Sequence, residues 1–84
     1  MHESGVFASL LQELERLVAE NQAKRVSAIE LVVGALETSD DEHLREHFRM
    51  ASQGTIAEGA ELTLVRDPNP LSTGFVLRSV ELET

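Results

Sequence analysis

Apolar residues recur three and four positions apart at Phe7, Leu10, Leu11, Leu14, Leu17 and Val18, so the pattern predicts a helix over residues 5–22 with Ser4 as its cap. Glu13, Glu15, Arg16 and Glu20 fall largely outside that stripe and form its solvated side. From Val26 the period changes to two. Ile29, Leu31 and Val33 share one face and Ala28, Glu30 and Val32 the other, which predicts a strand ended by Gly34. Ser39, with Glu42 three residues later and Asp40 and Asp41 between them, has the form of a capping box. It heads a second helix over residues 40–53, with Leu44, Phe48 and Ala51 as the buried stripe and Gly54 as the stop. Residues 60–65 alternate again, with Leu62 and Leu64 inward.

Asp67-Pro68-Asn69-Pro70 is the strongest break in the chain. Residues 74–83 then predict a third strand whose parity changes midway: Phe75 and Leu77 share one face, Val80 and Leu82 the other. A bulge near Arg78-Ser79 brings both pairs to the core. The order α-β-α-β-β gives an α+β fold, a two-layer sandwich with two helices on one face of a three-stranded sheet. The second and third strands are expected to be antiparallel through the loop of residues 67–73. Residues 1–84 form a single small domain.

Fifteen acidic residues against seven basic ones give a net charge of −8, which repels phosphate backbones and anionic lipid. Nucleic acid and membrane surfaces are therefore excluded as partners, and a cation or a basic protein face suits the charge. The absence of cysteine excludes disulfides, thiol chemistry and cysteine-type zinc sites. With no signal peptide and no spanning segment in the pattern, a cytoplasmic location is expected.

The candidate chemistry lies in Met1-His2-Glu3. A free α-amine, the amide nitrogen of residue 2 and the Nδ1 of a His at that residue close a five- and a six-membered chelate ring, and such planar nitrogen donors suit Ni(II) or Cu(II). The fourth position falls to the amide or carboxylate of Glu3 or to water. The bulk of His2 disfavours removal of Met1. His43 and His47 stand four apart, the spacing of two ligands on one helix face, and are taken as helix-flank histidines. Glu37, Asp40, Asp41 and Glu42 are taken as charges placed at a helix start. No serine has a base at a spacing that makes it a nucleophile, and no glycine-rich phosphate loop is present, so an enzyme is not expected.

These segments, in this order, resemble the HypA/HybF nickel-insertion accessory proteins of NiFe-hydrogenase maturation. The resemblance is carried by Met1-His2-Glu3 ahead of an apolar helix, Ala23-Lys24-Arg25-Val26, Leu44-Arg45-Glu46-His47-Phe48, the run from Gly54 to Leu62, and Ser79-Val80-Glu81-Leu82-Glu83. It implies Ni(II) held by the amine of Met1, the amide and imidazole of His2 and the amide of Glu3. It also implies partnership with a maturation GTPase and delivery to the hydrogenase large subunit, and in some organisms to urease. Two departures stand out. Where the family inserts a zinc domain with paired Cys-x-x-Cys motifs, residues 66–73 close the gap, so no zinc is expected. Ser4-Gly5 also replaces the family's usual apolar residue and serine. The expectation is a nickel-binding metallochaperone domain. The alternative is a protein-interaction module that binds the GTPase or hydrogenase subunit without useful metal binding.

Overall fold

The computed structural model describes residues 3–84, with side chains from residue 5 onward. The first apolar stripe becomes helix α1 (Glu3–Glu20), with Phe7, Leu10 and Leu14 buried and Leu11 and Val18 packed at the margin. The helix starts two residues earlier than the pattern predicts, so Ser4 lies in its first turn rather than ahead of it. It also stops two residues short. Gln22 takes a left-handed conformation (φ 54°), and the amides of Gln22 and Ala23 turn back to the carbonyls of Ala19 and Val18 at 3.3 and 3.0 Å. This is the closing geometry usually supplied by glycine.

A short turn leads into strand β1 (Arg25–Val33), followed by helix α2 (Asp41–Ser52), strand β2 (Glu61–Arg66) and strand β3 (Phe75–Glu83). The sheet order is β2-β1-β3, with β2 parallel to β1 and β3 antiparallel to it. The expected pairing of the second and third strands is therefore corrected: they occupy opposite edges. The reason is apolar content. β1 buries Val26, Ile29, Leu31 and Val33, more than either edge strand, and the central position covers it on both sides. The loop of residues 67–74 carries the chain across the end of β1 instead of forming a hairpin.

The parity change in β3 is resolved as predicted. Glu30 pairs with Ser79 and Leu31 with Leu77, so Arg78 is the extra residue of a bulge, and Phe75, Leu77, Val80 and Leu82 all turn towards the core. A second register shift, unforeseen in the sequence, falls at Ser27, with Val26 opposite Leu82 and Ala28 opposite Glu81. It brings Val26 onto the same buried side as Ile29 despite their odd spacing.

In α2 the cap is Asp40, whose side chain accepts from the amide of His43 at 2.8 Å, and not Ser39. The buried stripe is Leu44, Phe48 and Ser52, while Ala51 is exposed. A strict four-residue spacing selects position 52 over 51. Ser52 is tolerated there because its hydroxyl donates to the carbonyl of Arg49 at 3.2 Å. The connection after α2 also joins the core: Ala57 is fully buried, and the carbonyl of Ile56 accepts from the amide of Val26 at 2.8 Å.

Candidate metal centre

Both helices run opposite to β1, α1 because a short turn joins it to that strand and α2 because it crosses between the parallel strands β1 and β2. Their N-termini therefore lie at the same end of the molecule. Contact between them is made by Phe7, whose ring meets Phe48 edge-on (centroids 6.0 Å apart, 65°) and His47 likewise (6.5 Å, 72°). Glu3, where α1 begins, is one helical turn before Phe7. Met1 and His2, and the side chain of Glu3, lie outside the described residues, and the predicted chelate with them; α1, which follows it in the sequence, has its first turn beside the start of α2.

The structure brings His43 and His47 together. Their ring centroids are 4.4 Å apart with 42° between the planes, His43 exposed and His47 half-buried against Phe7. His43 is one turn nearer the helix start than His47. The four-residue spacing was the visible signal; what it did not reveal was that α1 would set its own first turns beside the pair.

The acidic cluster is used by the fold. Asp40 caps α2, Asp41 pairs with Arg66 at 3.0 Å, and a Glu37 carboxylate oxygen accepts from the amide of Gly74 at 2.9 Å. Elsewhere, hydrogen bonding to Arg16 holds the Glu13 carboxyl below its ordinary pKa, and Arg49 does the same for Glu46. Both are exposed pairs one helical turn apart, modest in energy and directed at neighbouring side chains, not at a reacting centre. Among the described residues no three histidine, aspartate or glutamate side chains gather into a metal cluster.

A cleft of about 480 Å³ lies between α1 and the sheet, lined chiefly by Val6, Leu10, Leu31, Phe75 and Leu77 with Glu13 and Glu37 among its polar residues. It is an apolar groove without a nucleophile–base pair. Among the described residues no helix is long and apolar enough to cross a membrane.

The comparisons with known proteins agree with this architecture. A family model described as hydrogenase/urease nickel incorporation, metallochaperone, hypA matches residues 1–72. The hydrogenase maturation factor HypA of Prosthecochloris aestuarii is 40% identical over 75 residues, covering 89% of this chain and 64% of the relative. That of Archaeoglobus fulgidus is 39% identical over 64 residues, covering 76% and 58%. HybF of Escherichia coli K12 is 32% identical over 68 residues, covering 81% and 60%. The chain thus spans about six-tenths of the length of the curated relatives it matches. Among solved structures, a HypA solution structure superposes with a TM-score of 0.78 at 19% identity, covering 98% of this chain and 96% of that one. The Ni metallochaperone HypA from Helicobacter pylori superposes with a TM-score of 0.69, also at 19% identity, covering 100% and 95%. At that identity the likeness concerns the fold.

Proposed function

The chain belongs to the HypA family of hydrogenase/urease nickel-incorporation metallochaperones, and from that premise we propose that residues 1–84 form one nickel-binding domain that carries Ni(II) for insertion during hydrogenase maturation. The observation that carries the reading is the family match starting at residue 1, on the triplet whose nitrogens suit a planar cation, joined directly to a helix anchored through Phe7. In this proposal the amine of Met1, the amide and imidazole of His2 and the amide of Glu3 hold the ion, which is cargo and not a resident cofactor. The ion is passed to the hydrogenase large subunit with the help of a maturation GTPase, in the cytoplasm and without catalysis by this chain. With no cysteine in the sequence, no zinc is held in the manner of a Cys-x-x-Cys domain.

The test is a Ni(II) titration followed by visible absorption and calorimetry on chain with its native start, on chain with one residue added before Met1, and on His2→Ala. The added residue turns the amine into an amide, and the substitution removes the imidazole. One planar Ni(II) per chain, lost in both altered forms, is expected. Equal planar binding by all three, or none by the native form, would overturn the site.

A further inference from the structure

The geometry points to a second metal site, formed by His43 and His47 on the exposed side of α2 and distinct from the chain-end chelate. Metal–imidazole bonds are about 2.0–2.1 Å long, so two ligating nitrogens on one ion stand at most about 4 Å apart. Rings with centroids 4.4 Å apart on successive turns bring their nitrogens within that reach by rotation about the side-chain torsions alone. The backbone is already fixed for the purpose. The Asp40 cap holds the first turn of α2, and buried Leu44 and Phe48, each next to one of the histidines in the chain, pin the helix.

The surroundings suit a divalent cation. Asp41 and Glu42 in the first turn offset the positive end of the helix, and the chain carries a net charge of −8. Phe7 packed on His47 restricts that ring, lowering the entropy lost on ligation. Imidazole suits Ni(II), Cu(II) and Zn(II) alike, so a two-histidine clamp with water in the remaining positions takes a divalent transition-metal ion and releases it readily. The site goes beyond the function proposed above and does not depend on it.

The two sites are separable because a planar four-nitrogen Ni(II) is diamagnetic, whereas two imidazoles with waters give a paramagnetic ion. The experiment uses folded chain with one residue added before Met1 and His2→Ala, which removes the chain-end donors, with Ni(II) alone as the probe. Substoichiometric Ni(II) is expected to broaden the ring proton signals of His43 and His47 together. His43→Gln, at an exposed position, should weaken binding by at least about tenfold, since loss even of an outer partner of a metal ligand costs that much. Unbroadened signals, broadening of one ring only, or unchanged affinity in His43→Gln would overturn the site. In the native chain His43→Gln should leave any planar species intact; its loss would show that the histidines belong to the chain-end centre and would overturn a separate site.

Discussion

A Cβ placed on Gly34 would stand 2.5 Å from the Cα of Thr73 and 2.8 Å from the carbonyl oxygen of Ser72, closer than real side chains approach. At the end of β1 the backbone of the 67–74 loop lies directly against residue 34. Five hydrogen bonds hold it there: Asp67 amide to Val33 carbonyl (2.9 Å), Gly34 amide to Gly74 carbonyl (2.8 Å), Ala35 amide to Ser72 hydroxyl (2.8 Å), Leu36 amide to Ser72 carbonyl (3.0 Å) and Gly74 amide to Glu37 carboxylate (2.9 Å). The loop that carries the chain from one sheet edge to the other is thus tied to the centre strand.

Gly34→Ala should therefore destabilise the fold, because the obstructing atoms are backbone and cannot swing aside. Overpacking of this kind costs about 1–3 kcal/mol. In a domain of this size each kcal/mol lowers Tm by roughly 4–8 °C. Thermal melts measure the loss, and amide exchange should localise it to residues 34–37 and 72–74. An unchanged Tm would mean that the loop is held far more loosely than its hydrogen bonds imply.

The start of α2 yields a comparison between neighbours. Asp40 accepts the His43 amide, whereas the carbonyl of Ser39 accepts from Arg66 at 2.6 Å and would do so whatever its side chain. Asp40→Ala should cost about 1 kcal/mol, the usual cost of losing a cap. Ser39→Ala should be neutral within the error of a urea melt. The reverse order would restore the capping box that the sequence pattern suggests.

That misplacement shows what the sequence could and could not disclose. Every element was legible from its apolar period, since burying Phe7, Leu10 and Leu14 or Ile29, Leu31 and Val33 leaves no other face inward. The cap was ambiguous because Ser39, Asp40 and Asp41 are all competent caps, and only the entry angle of the chain chooses among them. Strand order was illegible for a related reason. Periodicity assigns faces, but which strand becomes central depends on summed apolar area and on where the 67–74 loop is tied. The Ser27 shift left no trace because Val26 sits next to a polar residue in any register. At the candidate site the His43–His47 spacing was visible, but the contact of Phe7 with His47 is tertiary and could not be read locally.

The bulge in β3, by contrast, was written into the parity of its residues, and it yields a deletion experiment. Two residues, Arg78 and Ser79, face the single residue Glu30, and the side-chain contact given up with Arg78 is a 3.8 Å ion pair between its exposed guanidinium and the half-buried Glu30. Removing Arg78 leaves Phe75, Leu77, Val80 and Leu82 in unbroken alternation on the core side, so the shortened strand should still fold. The lost pair is worth about 0–1 kcal/mol. Deleting Glu81 instead turns Leu82, the partner of Val26, towards solvent. Exposing a leucine costs up to about 1.5–3 kcal/mol, a large share of the stability of so small a domain. Urea melts of the two deletions should place the Glu81 form well below the Arg78 form. If the Arg78 form is the weaker, the bulge does more than correct parity: the bend it imposes on β3 is then what closes the sheet over α1.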